Sequence, residues 1–176
     1  MNIIHKDIYN TQNIIIINKS GYLKYKDLKL RFTYGKKGIK KKEREGDQIT
    51  PKGFFKINKI YYRHDRIKKI YCKQKLFKIK KNMGWCDDPE SKNYNKQIII
   101  PNKFGYEKMY RNDNIYDLIL VLNYNTKPVV KNKGSAIFIH ISKKSYPKTN
   151  GCIALQKRDL IKLISKINKR TKVFIN

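Results

Sequence analysis

Short apolar segments separated by turn clusters recur along the chain, and this pattern constrains the fold more than any other feature. Several segments alternate apolar and polar residues or are rich in β-branched and aromatic side chains, as half-buried strands are. Clusters such as YGKKG, TPKG and TKP separate them, since Gly and Pro favour turns. The predicted strands span residues 14–18, 28–34, 53–62, 76–80, 98–100, 118–122, 136–141 and 173–175. We therefore expect a mainly β domain of the β-rich α+β class.

One segment late in the chain, residues 157–169, has the pattern of a helix. Its apolar residues Leu160, Leu163, Ile164 and Ile167 are spaced i, i+3, i+4 and i+7, which places them on one helical face. Most of the other positions in the segment are polar or charged. This helix is expected to pack its apolar face against the sheet.

The length of 176 residues fits a single domain with a proper core, and the sequence shows neither an internal repeat nor a Pro/Gly/Ser linker. We expect one domain over residues 1–176, with its core at about 28–170. No apolar run approaches the roughly eighteen residues of a membrane span. Residues 1–13 also lack the basic and apolar regions of a Sec signal, so none is expected in the chain as given.

The formal net charge of +29 raises the question of nucleic-acid binding, because Lys and Arg neutralise phosphates. However, the excess charge is spread along the chain and is nearly all lysine, whereas phosphate recognition favours arginine forks. A cationic surface suits an anionic polymer such as a bacterial cell wall equally well. We therefore do not expect nucleic acid to be the main partner.

The three cysteines, Cys72, Cys86 and Cys152, show no CxxC spacing. Their odd number and spacing favour neither a zinc site nor a disulfide framework. At least one thiol is therefore unpaired within the chain.

The segment HISKKSYPKTNGC, from His140 to Cys152, combines an imidazole with a thiol that follows a glycine. A thiol becomes a nucleophile as thiolate, which an imidazole or a cationic field favours. The lysines of the loop and the helix that follows are expected to lower the thiol pKa. Gly151 allows a sharp turn, and the N–H groups of Gly151 and Cys152 are candidates for an oxyanion hole. The alternative is an inert buried cysteine beside a structural histidine.

Residues 134–164 resemble the signature of the YkuD-type L,D-transpeptidase family, in which a histidine and a loop precede Ser/Thr-x-Gly-Cys and a branched apolar residue. Thr149, Asn150, Gly151, Cys152 and Ile153 match it in order. Upstream, EGDQITPKGFF resembles the family's EGD-x-x-TP-x-G-x-F turn. GWCDDPESKNYN and YDLILVLNYN resemble the proteobacterial branch that usually lacks an obvious leader. The resemblance covers about residues 30–165.

Two positions depart from the pattern common in that family. Ala154 stands where many members have Arg, and Asn150 stands where many have His. The first departure affects the usual binding of a substrate carboxylate. It also fits the branch in which Ala is normal at this position, some of whose members are thought to join the wall through L-alanine and diaminopimelate.

The resemblance implies a mixed β-sheet sandwich with a helix after the catalytic cysteine. It further implies that Cys152 attacks a peptide bond of a peptidoglycan stem peptide and that an amine of a second stem resolves the thioester. His140 would activate the thiol, and the Gly151 and Cys152 amides would hold the oxyanion. The implied partners are the donor and acceptor stem peptides, the implied location is the periplasm or cell envelope, and no metal or other cofactor is implied.

Other residues are predicted to contact the substrate by their place in these motifs. An acidic site that binds the acceptor's ammonium group is one interpretation of the GWCDDP segment, and a turn capped by its aspartates is the other. The predicted substrate-binding residues are Trp85, Asp87, Asp88, Tyr124, Tyr146, Thr149 and Asn150.

Two other functions stay open at this point. If water reaches the thioester before an amine does, the protein is an L,D-carboxypeptidase or peptidase on the same substrate. If Cys152 is inert, the protein is a basic module that binds nucleic acid or the cell wall. A low thiol pKa would favour either enzyme over the binding module.

Overall fold

The computed structural model of the protein describes residues 13–176. The prediction of no leader concerns residues 1–13 and lies almost wholly outside this part of the chain. Within residues 13–176 the structure has fourteen strands and one helix. In chain order they are β1 (Ile14–Ile17), β2 (Tyr22–Tyr25), β3 (Leu28–Thr33), β4 (Ile39–Lys40), β5 (Thr50–Pro51), β6 (Gly53–Tyr62), β7 (Leu76–Lys78), β8 (Met83–Cys86), β9 (Gln97–Ile99), β10 (Tyr106–Lys108), β11 (Leu118–Leu122), β12 (Phe138–Ile141), β13 (Ile153–Leu155), α1 (Lys157–Lys166) and β14 (Lys172–Ile175).

The largest sheet orders nine of the described strands as β11-β12-β13-β3-β2-β1-β14-β6-β7. β11 also pairs with β6, so the strands from β11 round to β6 form a closed ring and β7 extends it beyond β6. The pairs β1–β14, β12–β13 and β6–β7 are parallel, which makes the sheet mixed. Closure satisfies the backbone groups that an open sheet would leave at its edges.

Alternate side chains of all the ring strands form the main apolar core, as the period of two along a strand requires. Helix α1 adds Leu160, Leu163 and Ile164 to this core, together with Ile167 just past its end. Burying each such side chain stabilises the fold by about 1.5–3 kcal/mol. The prediction of a mainly β domain with one helix packed against the sheet after Cys152 is confirmed.

Helix α1 begins at the predicted Lys157 and ends three residues before the predicted end, because Ile167 has extended backbone angles (φ −76°, ψ 159°). No helix within residues 13–176 is long and apolar enough to cross a membrane.

A second apolar cluster lies on the other face of the large sheet. It joins Val121 and Phe138 of the ring strands to Trp85 of β8 and to Met109 after β10. Strands β10, β8 and β9 form the small sheet that carries this side of the cluster. Cys152 packs against this cluster, so the small sheet and the large sheet enclose the region around the thiol between them.

Candidate active site

Cys152 lies directly before β13 and is half-buried. Its Sγ donates a hydrogen bond to the carbonyl oxygen of Ala136 at 3.1 Å and accepts one from the Phe138 amide at 3.4 Å. Both partners belong to the segment that leads through β12 to His140. The thiol therefore faces the strand that carries the predicted base.

His140 lies in β12, which runs parallel to β13, and it pairs in register with Ala154. Its ring is buried against the ring of Tyr116 at a centroid distance of 5.3 Å. The Nδ1 atom lies 3.0 Å from the carbonyl oxygen of Ile141. Because a carbonyl oxygen only accepts, Nδ1 carries the proton and Nε2 keeps a lone pair for use as a base.

Burial controls the protonation of both groups in the resting site. Burial is the largest cause that lowers the pKa of His140 to about 4. Burial, followed by the negative charge of Glu107, raises the pKa of Cys152 to about 12. At neutral pH the thiol is therefore protonated and the imidazole is neutral.

The prediction of a low thiol pKa is therefore wrong. The loop lysines on which it depended, Lys143, Lys144 and Lys148, are exposed to solvent, where water screens their charge. The lysine whose charge does lower the pKa of Cys152 is Lys42, which is buried. Its effect is smaller than that of burial.

The turn before Cys152 requires glycine at position 151. Gly151 has a φ of +134°, and a Cβ added there would lie 3.0 Å from the carbonyl oxygen of Ile49. Its N–H donates to Thr149 Oγ1 at 3.2 Å, and that hydroxyl donates to the Cys152 carbonyl at 2.5 Å. Thr149 thus holds the turn, and the Gly151 amide must release or share this bond to contact an oxyanion.

The EGD-x-x-TP segment supports this turn from outside. The Thr50 hydroxyl donates to the Gly151 carbonyl at 2.7 Å and accepts from the Gly35 amide at 2.9 Å. Asp47 accepts hydrogen bonds from the Ile49 amide at 3.0 Å and from Lys42 Nζ at 2.5 Å. Although burial opposes it, these bonds lower the pKa of Asp47 to about 2. The segment is a structural turn, and it positions the cysteine loop.

Ala136, which accepts the thiol hydrogen bond, has left-handed backbone angles with a φ of +50°, a conformation that strains a residue with a Cβ. Its N–H donates to Asn95 Oδ1 at 3.0 Å, and Trp85 Nε1 donates to the same oxygen at 3.1 Å. The Asn95 amide nitrogen donates to the carbonyls of Tyr124 and Asn125. Asn95 therefore ties the small sheet and the turn after β11 to the backbone that receives the thiol.

Comparison with known families identifies this arrangement. The family model of the YkuD L,D-transpeptidase catalytic domain matches residues 12–175, nearly the whole chain. This chain belongs to the YkuD family. A comparison with curated proteins gave no match. The family is enzymatic and acts on the peptidoglycan of the cell wall.

In this YkuD domain, the carboxyl group of Glu107 acts on the thiol electrostatically and is linked to His140 through Tyr116. Tyr116, whose ring packs against His140, donates its phenol hydrogen bond to Glu107 at 2.5 Å. Burial raises the pKa of Glu107, and Glu107 in turn raises the pKa of Cys152. Neither Glu107 nor Tyr116 was predicted as a site residue. Glu107 lies in no quoted motif, and Tyr116, which begins the YDLILVLNYN segment, was given no role because it contacts His140 only through the fold.

The two aspartates of the GWCDDP segment differ in their roles. Asp88 accepts hydrogen bonds from the Gly105 amide at 3.1 Å and from the Glu90 amide at 3.0 Å, which is the turn interpretation. Asp87 is half-buried, and burial is the largest cause that raises its pKa, with Glu45 and Asp88 adding to it. Within residues 13–176, no other residue forms a hydrogen bond with the Asp87 carboxyl group. Among residues 13–176, no group of three His, Cys, Asp or Glu side chains is placed to hold a metal ion.

The other residues predicted to contact substrate lie in different parts of the YkuD domain. Trp85 is buried edge-on against Phe138 at 5.1 Å, within the cluster that Cys152 contacts. Tyr124 donates to the Lys133 carbonyl at 2.5 Å. Asn150 is exposed beside the cysteine turn. Tyr146 lies instead under the Arg31 guanidinium, 4.5 Å from its ring centre, on the β3 side of the loop.

Proposed function

We propose that this protein is an L,D-transpeptidase that cross-links peptidoglycan stem peptides through a thioester on Cys152, in the periplasm or cell envelope. The observation that carries the proposal is the placement of two groups within a YkuD domain. A half-buried thiol stands directly before β13, and a neutral His140, whose Nε2 makes no hydrogen bond within residues 13–176, lies on the adjacent parallel strand β12. A neutral pair needs no resting thiolate, because the proton can move as the thiol attacks.

The reaction then has two acyl transfers. The Cys152 sulfur attacks a stem-peptide carbonyl, His140 Nε2 takes the thiol proton, and the tetrahedral oxyanion collapses with cleavage of the C–N bond. The leaving amine takes the proton from His140. In the second transfer, the amine of an acceptor stem attacks the thioester and gives its proton to His140. His140 returns this proton to the Cys152 sulfur as the C–S bond breaks, which restores the thiol and the neutral imidazole. Holding the oxyanion on backbone N–H groups, here those of Cys152 and Gly151, is worth about 3–4 kcal/mol per donor in such reactions.

The acceptor arrives as an ammonium group, which a counter-charge near the thioester would hold, and it gives one proton to water before it attacks as the free amine. Asp87, Glu45 and Glu107 act on one another electrostatically, and Glu107 acts on Cys152 as well. We assign acceptor binding to Asp87. The Asp88 carboxylate is not assigned this role because it accepts the hydrogen bonds of the Gly105 and Glu90 amides in the turn. An ammonium bound there also offsets the negative charge that opposes thiolate formation.

The test is a covalent adduct on Cys152. Incubation with disaccharide-tetrapeptide should give a transient mass increase on wild-type protein and on Cys72→Ala, and none on Cys152→Ala. An amine-bearing muropeptide should convert the adduct to a dimer faster than water converts it to free acid. An adduct that yields only free acid would instead establish the peptidase alternative. Absence of any adduct on folded protein would refute the enzyme and favour the basic binding module.

The second step has its own test. Asp87→Asn should slow dimer formation while the rate of acylation stays near that of the wild type. Glu90→Gln, an exposed acidic change in the same loop, is the control and should affect neither step. Equal loss in both steps would show that Asp87 only supports the turn.

A further inference from the structure

An open pocket of about 410 Å³ lies beside the loop that leads to Cys152. Its lining contains three cations, Lys19, Arg31 and Lys148, and three tyrosines, Tyr22, Tyr34 and Tyr146, and it contains no carboxylate. The pocket is formed by the β2–β3 hairpin and by the 142–151 loop. The proposed reaction uses none of these side chains.

The pocket lies on the same face of the sheet as the reacting groups. Thr33, in its lining, pairs with Ala154, and Ala154 pairs with His140, so all three side chains lie on one face. Neighbouring strands are about 4.8 Å apart, which places the Thr33 backbone about 10 Å from that of His140. Arg31 follows on the same face, about 7 Å further along β3. An extended peptide of a few residues spans this separation.

Backbone hydrogen bonds fix the pocket to the cysteine loop. The Thr149 amide donates to the Tyr34 carbonyl at 3.1 Å, and the Lys36 amide donates to the Thr149 carbonyl at 2.9 Å. Thr149 is also the residue whose hydroxyl binds the Cys152 carbonyl. Backbone hydrogen bonds therefore join the pocket segment at Tyr34 directly to the turn that precedes Cys152.

Aromatic rings, and not carboxylates, hold two of the pocket cations. The Arg31 guanidinium lies 4.5 Å from the ring centre of Tyr146, and Lys148 Nζ lies 3.3 Å from that of Tyr34. Neither cation forms an ion pair within residues 13–176. Asp159 acts on the pocket from outside its lining, where its charge adds to burial in raising the pKa of Tyr146. The N–H donors of Arg31 and Lys148 therefore have no anionic partner within residues 13–176 and can bind an anionic ligand.

We propose that this pocket is a subsite for a carboxylate of the donor stem peptide whose acyl group is transferred to Cys152. The proposal rests on the proposed function, since it assigns the binding of the same substrate. A guanidinium fork matches a carboxylate with two parallel hydrogen bonds, and the tyrosine rings pack against the adjoining peptide. A single compact pocket on the catalytic face fits one peptide carboxylate better than a nucleic acid, which needs a charged track along its backbone.

Equilibrium binding tests the subsite without the chemistry. In a Cys152→Ala background, titration of disaccharide-tetrapeptide by calorimetry should show at least tenfold weaker binding for Arg31→Gln and for Lys148→Gln. Lys24→Gln is the matched control, because Lys24 is an exposed cation of the same hairpin outside the pocket, and it should bind like the parent. Amidating the peptide carboxylates should weaken the parent tenfold or more and should weaken Arg31→Gln by much less.

The outcomes separate this proposal from the proposed function. If wild-type Cys152 is not acylated but the binding losses are specific to Arg31→Gln and Lys148→Gln, the reaction is wrong and the subsite stands. If acylation occurs but Arg31→Gln and Lys148→Gln bind the peptide as tightly as the control Lys24→Gln, the subsite is wrong. Loss of single-stranded DNA binding in Arg31→Gln, with peptide binding unchanged, would also overturn it in favour of nucleic acid. Melting temperatures equal to the parent's confirm that the variants fold.

Discussion

The thiol of Cys152 donates to the carbonyl oxygen of Ala136 at 3.1 Å, and Ala136 holds that oxygen in place with a left-handed backbone, φ +50°. Strain of this kind costs about 1–3 kcal/mol and persists only where the surroundings impose it. Here Asn95 imposes it by accepting the Ala136 N–H. The acceptor that holds the resting thiol thus depends on a residue 41 positions away from Ala136.

Replacing Asn95 tests that dependence. Asn95→Leu removes the acceptor shared by Ala136 and Trp85 and leaves buried donors unpaired, so the free energy of unfolding should fall by about 1–3 kcal/mol per unpaired group. Asn95→Asp keeps the acceptor but places a second carboxyl oxygen against the Tyr124 and Asn125 carbonyls, where only its protonated form can donate, so it should recover part of the activity, and more at lower pH. Urea unfolding and the acylation rate check both. Equal activity of the two variants would show that the Ala136 contact does not matter.

The pH dependence of kcat/KM tests the state of His140. Its neutral form is the base, and burial lowers its pKa to about 4, so activity should fall only as the pH drops toward 4 and not near 6.5. His140→Ala should lower kcat about 10²-fold or more. His64→Gln, in an exposed loop, is the control and should leave the profile unchanged. An acid limb near 6.5 in the wild type would contradict the burial argument.

Glu107→Gln tests the electrostatic effect on the thiol. Since the charge of Glu107 raises the pKa of Cys152, removing it should lower that pKa, and iodoacetamide should label Cys152 faster at alkaline pH. Gln keeps an acceptor for the Tyr116 phenol, so the packing around His140 is retained. Glu90→Gln is the distant control. The same labelling profile in all three proteins would mean that burial alone sets the pKa of the thiol.

Gly151→Ala tests the turn before the nucleophile. The added Cβ would lie 3.0 Å from the Ile49 carbonyl oxygen at a φ of +134°, so acylation should be lost and stability should fall by about 1–3 kcal/mol. Gly46→Ala is matched for a positive φ, +68°, but meets nothing within 4 Å. It should keep full activity while losing about 1–2 kcal/mol. Thermal unfolding with the adduct assay distinguishes the two, and active Gly151→Ala would show that the turn tolerates a side chain.

Local pattern predicted much of the fold. The apolar segments of β6 and β11 were predicted with their observed bounds, and α1 was predicted with its observed first residue. Six strands were missed, β2, β4, β5, β8, β10 and β13, all two to four residues long. Equally short strands such as β9 were predicted, but each of the six missed segments has at most one β-branched residue, so its local strand preference is weak. These six form because neighbouring strands supply their hydrogen bonds.

The sequence by itself determined the family and named Cys152 and His140 as the candidate reacting groups, because the order of a histidine, a loop and Thr-x-Gly-Cys is the part of the family's signature that local pattern carries. Only the tertiary structure decided their protonation and their supports. The lysines close to Cys152 in the chain lie in solvent, whereas Glu107 and Asn95, 45 and 57 positions before it, reach its surroundings. Burial and long-range contacts set a pKa in a folded protein, and neither is encoded in spacing along the chain.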